Sequence, residues 1–428
     1  MKNVRRDRSA GHHFFKYLRM KIVHIIARLN VGGPARQVVW LTEKLRNDEF
    51  ESALIAGTVP AGEKDMGYFA AEHGVDPIYI PELSRELSPK DIISLYKIYR
   101  ELRRQKPDIV HTHTAKAGTV GRVAAFLYRW MTLRTLIGKP RRVKVVHTFH
   151  GHVFHSYYGR FKTGLFVLIE RILAKIATSK IIVLAEQQLR EIHQDFGVGS
   201  SGQFEIMPLG IEITEVAENT TDRSILRREI AAGADEIVVG FVGRLTEIKD
   251  LPLLLETVAA YERSDEPIKP RLKLVIVGDG NVREGLEMLS RELGLTGVVT
   301  FLGNRENVTE LFSGMDIVAL SSKNEGTPLS LIEAMDAGKP VISTAVGGVV
   351  DLLGKRCEEF EGFALCERGI SVDNATPESF ANGLIYLAKN EKLRQGLSSS
   401  GRDFVRENFS VDRLVNDVST LYRNLTKA

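Results

Sequence analysis

Two doubly wound α/β domains, each a parallel Rossmann-like sheet and facing the other across a cleft, are the fold this sequence predicts. Its 428 residues exceed one domain at roughly 100 to 200 residues each. Short β-branched runs alternate with helical stretches from Met20 onward, the pattern of parallel strands covered by helices on both faces. The alternation halts at a polar stretch from Thr214 to Asp235 and then begins again, so the pattern is present twice.

Residues 1–19 form a basic arm, with Lys2, Arg5, Arg6, Arg8, Lys16 and Arg19 against Asp7, and they lack the apolar core of a signal peptide. The arm is either an extension or a consequence of start-site choice. The first domain, 20–211, opens with the strand MKIVHIIARL and the helix GPARQVVWLTEKLRND. Strands ESALIAGTV and PIYIPEL, helix SPKDIISLYKIYRELRRQKP, strand DIVHTHT, helix AGTVGRVAAFLYRWM, and strands KVVHTFHG and KIIVLAE follow. The segment FEIMPLGIEI ends this series. The second domain, 212–402, runs IVVGFVGRL, LPLLLETVAAYER, LKLVIVGDG, NVREGLEMLSREL, VVTFLGN, IVALSS and PVISTA. Residues 403–428 read as a final helix.

Composition narrows the function. The greasiest stretch, Gly164 to Ala177, is interrupted by Glu170, Arg171 and Lys175, so no bilayer-spanning segment is expected. Two cysteines, Cys357 and Cys366, make neither a disulfide framework nor a zinc site, which fits a reducing cytoplasm. Residues 1–211 hold 33 Lys and Arg against 19 Asp and Glu, a balance of +14, while the remainder carries −10. The basic half is expected to meet an acidic acceptor, a phosphorylated lipid or a membrane surface, with a plainly solvated basic surface as the ordinary alternative.

Common nucleotide motifs are absent. After Gly278-Asp279-Gly280 the third glycine of a dinucleotide fingerprint would fall at position 283, which is Arg283, and no acidic ribose ligand follows. Gly338-Lys339 continues into Pro340, so it is no Walker loop.

The segment from Asn324 to Gly338 is the richest. Thr327 is read as an N-cap, Pro328 as the first helical residue and Gly338 as the residue past the helix end. Backbone N–H groups around Leu329 and Ser330 then make an anion site suited to a diphosphate. Glu325 and Glu333, eight residues apart, flank it and suit sugar hydroxyls better than phosphate. Arg244 and Lys249 follow the strand IVVGFVGRL and supply a fork and a point charge for phosphate oxygens.

Gly243-Arg244-Leu245 with Lys249, and Glu325 and Glu333 within a Glu-Gly-x-x-x-x-x-x-Glu-Ala pattern, resemble the family 4 retaining glycosyltransferases of the GT-B fold. Gly32-Gly33 is similar to the family's glycine loop, and Thr148-Phe149-His150-Gly151 to its active-site histidine segment. The resemblance implies that Arg244 and Lys249 hold the donor diphosphate, Glu333 the ribose and Glu325 the transferred sugar. It also implies that Gly326, Thr327, Pro328 and Leu329 receive the donor, that Gly303, Asn304, Arg305 and Glu306 border the base, and that His150 lies beside the reacting sugar. Gly32, Gly33 and Gly243 then allow close backbone approach. The implied donor is a nucleotide diphosphosugar, a UDP-linked hexose or N-acetylhexosamine, acting as co-substrate with no resident cofactor or metal. The implied acceptor is a glycan or lipid-linked hydroxyl of bacterial surface polysaccharide synthesis, taken by the first domain, and the final helix is implied to return to that domain. A GT-B-fold sugar-nucleotide epimerase and a non-catalytic binding module are the competing readings.

All eleven histidines precede residue 200. His147-x-x-His150-x-His152-x-x-His155 has the look of a metal motif, but carboxylates are scarce around it, and no metal is expected. His111 and His113 alternate on one strand face. Basic and aromatic residues gather at Tyr128-Arg129-Trp130, Arg134, Lys139, Arg141, Arg142 and Lys144, and again at Tyr157-Tyr158-Gly159-Arg160-Phe161-Lys162. They are read as a seat on the anionic inner face of a membrane, and nucleic acid is not expected.

Overall fold

The computed structural model describes residues 19–30, 32–59, 65–83, 89–150, 160–213, 224–266, 269–305 and 308–427. Seven parallel strands make the first sheet: β1 (Met20–Ile26), β2 (Phe50–Ala56), β3 (Ile78–Tyr79), β4 (Ile109–His113), β5 (Lys144–Thr148), β6 (Lys180–Val183) and β7 (Phe204–Ile206). Their order is β3-β2-β1-β4-β5-β6-β7. β4 is buried along its whole length because helices cover both faces of the sheet.

The second sheet holds β8 (Ile237–Val242), β9 (Leu272–Val277), β10 (Val299–Gly303), β11 (Ile317–Leu320), β12 (Val341–Thr344), β13 (Arg356–Glu359), β14 (Phe363–Cys366) and β15 (Gly369–Val372). The order is β10-β9-β8-β11-β12-β15-β14-β13. In each sheet the strand order reverses beside the first strand, β1 or β8: the next two strands run out on one side of it, and β4 or β11 begins the other side. Such a switch in strand order opens a crevice at the carboxyl ends of the strands.

The sequence reading missed β13, β14 and β15. β14 pairs antiparallel with both of its neighbours, and β13 is exposed along its length, so this edge lacks the apolar strand–helix alternation that marks the rest.

Loops at the carboxyl edge of the second sheet are pinned to one another. Gly243 donates to the Val277 carbonyl at 3.0 Å, Gly278 to the Gly303 carbonyl at 2.8 Å, and Leu245 to the Asp279 carbonyl at 3.0 Å. A Cβ on Gly278 would stand 1.9 Å from the Gly243 oxygen, and one on Gly280 would stand 2.0 Å from the Leu245 oxygen. The glycines of the Gly-Asp-Gly segment therefore serve loop packing, which explains their presence without a dinucleotide.

The final stretch is two helices. Glu391–Asn408 packs on the second domain, where Arg406 reaches Asp336 at 3.3 Å, and Phe409 lies in that domain's core. Val411–Lys427 belongs to the first domain, with Leu414, Val418, Leu421 and Tyr422 packed against Ile22, Ile109, Val146 and Ile182. The break falls where the chain crosses. There Ile211 donates to the Phe409 carbonyl at 2.7 Å and Val411 donates to the Ile211 carbonyl at 2.9 Å, so the two interdomain passages run side by side.

Candidate active site

The helix Leu329–Asp336 begins one residue later than its sequence suggests. Pro328, with ψ of 112°, is the capping residue rather than the first helical one, and Thr327 makes no side-chain cap. The loop before it is pinned by Gly348, which donates to the Gly326 carbonyl at 2.8 Å. Gly338, at φ of 67°, lies just past the helix end as expected.

Glu325 and Glu333 do not act as a pair. Glu325 sits in the loop, where its Oε1 accepts from Lys249 Nζ and from Ser322 Oγ, each at 2.5 Å. The Lys249 and Glu325 loops are also tied through backbone: Ser321 Oγ donates to the Lys249 carbonyl at 2.9 Å, and Lys323 donates to the Ile248 carbonyl at 2.9 Å. Arg244 is exposed on a turn whose neighbours, Gly243 and Leu245, are both pinned by backbone bonds.

Glu333 reaches across the cleft instead. Its Oε1 accepts from Arg36 NH1 at 2.7 Å, joining the helix Leu329–Asp336 to the first domain's helix Gly33–Lys44. Burial pushes the Glu333 carboxyl above its usual range, and the Arg36 charge opposes that push. Beside this pair, a Cβ on Gly33 would stand 2.6 Å from Leu329 Cδ1, so the two helix starts meet where the glycine loop leaves room. Arg36 is a site residue the sequence reading missed, and its only signal was a cation in the turn after the glycines. A hollow lies alongside, lined by Leu184, Ala185, Gln187 and Gln188 from the first domain and Gly326, Thr327 and Gly348 from the second.

Gly303 is buried at φ of 66°, whereas Asn304 and Arg305 are exposed, and Arg305 is paired with Glu229. Glu306 falls outside the described residues. Gly32 leads directly into the helix Gly33–Lys44 at the carboxyl end of β1.

His150 is half-buried, two residues past β5, and its Nε2 lies 2.9 Å from His113 Nδ1. His113 Nε2 is 3.2 Å from His24 Nδ1. His111 contacts Tyr422 OH at 2.6 Å and Thr148 Oγ1 at 2.7 Å, and His147 Nδ1 contacts Thr112 Oγ1 at 2.9 Å. Burial lowers the pKa of all five imidazoles, to about 3 for His24 and for His150. The sequence motif His147-x-x-His150-x-His152-x-x-His155 is not a described cluster, because His152 and His155 fall outside the described residues. The gathered imidazoles are instead His24, His111 and His113, each contributing a nitrogen within 4.8 Å of the others.

The basic and aromatic cluster divides. Tyr128 is buried, with Arg141 stacked 4.6 Å above its ring, whereas Met131, Leu133, Leu136 and Ile137 are exposed. The helix Arg160–Ala177 packs beside the helix Ala115–Trp130 and exposes Leu165, Leu168, Ile172 and Ile176 at helical spacing. The side chains of 157–162 fall outside the described ones. Among the described residues no helix is long and apolar enough to cross a membrane.

Residues 31–215 match the family described as Glycosyltransferase Family 4, and residues 222–404 match the one described as Glycosyl transferases group 1. An Escherichia coli relative, UDP-Gal:alpha-D-GlcNAc-diphosphoundecaprenol alpha-1,3-galactosyltransferase, is 27% identical over 411 residues, covering 94% of this chain and 97% of its own. The Anabaena protein Alr3699/HepE, solved in complex with UDP, superposes with a TM-score of 0.73 at 20% identity over 95% of this chain and all of its own. Sucrose-phosphate synthase from Thermosynechococcus elongatus does so with a TM-score of 0.71 at 21% identity over 95% and 99% of the two chains.

Proposed function

The chain belongs to the family 4, group 1 glycosyltransferases and has their GT-B fold, and on that premise we propose that it moves a hexose or N-acetylhexosamine from a UDP-sugar to an acceptor hydroxyl with retention of anomeric configuration. The observation that carries this reading is the cleft itself. Lys249 and Glu325 stand together on the second domain, and Arg36 of the first domain reaches Glu333 beside the start of the helix Leu329–Asp336.

In this scheme Arg244, Lys249 and the N–H groups opening that helix stabilise charge on the departing diphosphate. Because they are fixed before reaction, little reorganisation is needed, and neither a metal nor a resident cofactor is required. Lys249 has three donors, so it can keep Glu325 while meeting a phosphate oxygen. Glu325 takes hydroxyls of the transferred sugar. Glu333 holds the ribose through Oε2, since Arg36 occupies Oε1. Neither glutamate serves as nucleophile: the acceptor attacks on the face the diphosphate leaves, and the leaving phosphate oxygen receives the acceptor proton. His150 lies beside the sugar.

The basic first domain and the diphosphoundecaprenol acceptor in the E. coli relative's name support a lipid-linked acceptor met at an anionic membrane surface on the cytoplasmic side. Leu133 and Leu136, at 86% and 84% exposure and interleaved with Arg129, Arg134 and Lys139, are the residues we assign to that contact. Flotation with phosphatidylglycerol vesicles is expected to carry the protein, whereas Leu133→Asp with Leu136→Asp stays behind. Equal flotation of both would remove this assignment.

The donor site is tested by nucleotide release from a panel of nucleotide sugars in EDTA. Slow UDP release by the parent protein, lost in Lys249→Ala and in Glu333→Ala, is expected. Activity that vanishes with EDTA would overturn the metal-free scheme. Donor conversion without any acceptor would favour the epimerase, and binding without release would favour the non-catalytic module.

A further inference from the structure

Behind His150 lies a line of imidazoles that the transfer scheme leaves unused. His24 is on β1, His113 ends the adjacent β4, and His150 follows β5, the next strand over. Two nitrogen–nitrogen hydrogen bonds join them, His24 Nδ1 to His113 Nε2 at 3.2 Å and His113 Nδ1 to His150 Nε2 at 2.9 Å. Full burial of His24 and His113, and desolvation of half-buried His150 beside them, hold all three rings neutral at physiological pH.

A neutral imidazole has one N–H and one bare nitrogen. The central ring, His113, uses both nitrogens, so it donates through one and accepts through the other, and the two bonds must point the same way. One polarity runs from His24 toward the cleft and leaves His24 Nε2 bare. The opposite polarity places a proton on His24 Nε2, which is fully buried and has no hydrogen-bond partner among the described residues. Orphaned buried N–H groups are rarer than unpaired buried acceptors, so the first polarity is favoured. In that arrangement His150 accepts at Nε2 and carries its proton on Nδ1.

We propose that His24 and His113 are positioning residues that lock His150 in the Nδ1–H tautomer, so that it presents a hydrogen-bond donor, rather than a base, to the sugar in the cleft. The inference rests on the reading that His150 lies beside the sugar. It agrees with a scheme in which the leaving phosphate, and not a histidine, receives the acceptor proton. A reversed line would give His150 a bare nitrogen facing the sugar and hence the chemistry of a general base.

The tautomers are read directly by long-range proton–nitrogen correlation spectra of the full chain labelled with 15N-histidine, each ring assigned by its own His→Gln variant. The expected result at pH 7 is one N–H per ring, on Nδ1, at His24, His113 and His150. An Nε2–H tautomer at His150, two N–H groups on any of the three rings, or one equivalent of divalent metal in the purified protein held by this cluster would overturn the proposal. In kinetics, His113→Leu is expected to lower kcat at least tenfold with the donor KM nearly unchanged. His113→Asn, whose amide can donate from near the Nδ1 position, is expected to recover most of the loss, and an Asn variant as slow as the Leu variant would count against the proposal. His150→Ala separates the two readings: full activity there refutes the role of His150 in transfer, while the tautomer spectra still decide the polarity of the line.

Discussion

Gly33 shows how much of the site depends on the size of one side chain. Its missing Cβ leaves the place where Leu329 Cδ1 comes within 2.6 Å of the ideal Cβ position, next to the Arg36–Glu333 bridge at 2.7 Å. The nearest obstacle is the tip of a flexible side chain, so Gly33→Ala is expected to fold and to push Leu329, and with it the donor helix, out of register. Donor KM should rise several-fold with little change in Tm, and Gly33→Ala combined with Leu329→Ala should recover part of the loss. Steady-state kinetics of Gly33→Ala, Leu329→Ala and the double variant check this, and a strictly additive double variant would mean that the two residues do not act through their contact. The glycine loop was recognisable in sequence by its motif. Its partner Leu329 was recognisable only as a helix start, because contact across a cleft leaves no trace in local spacing.

Between elements, a buried ion pair joins two helices of the first domain. Arg122, on Ala115–Trp130, places NH2 2.6 Å from both carboxylate oxygens of Glu170, on Arg160–Ala177, and both residues are almost wholly buried. In sequence Glu170 was only the charge that interrupts an apolar stretch. Removing one partner of such a pair strands the other charge in the interior, at a cost of about 3 to 5 kcal/mol. Glu170→Ala is therefore expected to lower first-domain stability by that order in urea unfolding. Arg122→Met with Glu170→Leu should cost much less, because neither ion is then left unpaired. Equal losses in the single and double variants would show that the helices are held by packing alone. The helix Ala115–Trp130 also lies close on β5, because a Cβ on Gly118 would stand 2.4 Å from the His147 ring.

For the whole molecule, titration is unevenly distributed. His24, His111, His113, His147 and His150 all have depressed pKa values through burial, and all belong to the first domain. In the unfolded chain these imidazoles titrate near pH 6.5, so below that pH the unfolded state binds more protons than the folded one. Their contribution to stability is thus complete above about pH 6.5 and declines as the pH falls below it, by about 1.4 kcal/mol per imidazole per unit. The second domain has no histidine. Calorimetry at pH 7.5, 6 and 5 is expected to show the first domain's transition falling steeply while the second domain's moves little, and two transitions that fall together would contradict this account.

Strand and helix periodicity, the restart after a polar stretch and a small set of charged and glycine positions were enough to determine the α/β class, the parallel parts of the two sheets, the loops that carry Arg244, Lys249 and Glu325, and the helix that carries Glu333. These are local properties: a buried parallel strand is mostly apolar along its length, and a helix repeats its apolar face every turn. Tertiary structure decided what each charged group faces. It paired Lys249 with Glu325 and Arg36 with Glu333, broke the tail at Phe409–Ser410 to cross between domains, and placed histidines from two strands and from the segment after a third in one hydrogen-bonded line. Partners separated by 76, 89 or 297 residues are chosen by sheet order and by the meeting of two domains, and neither leaves a period in the chain.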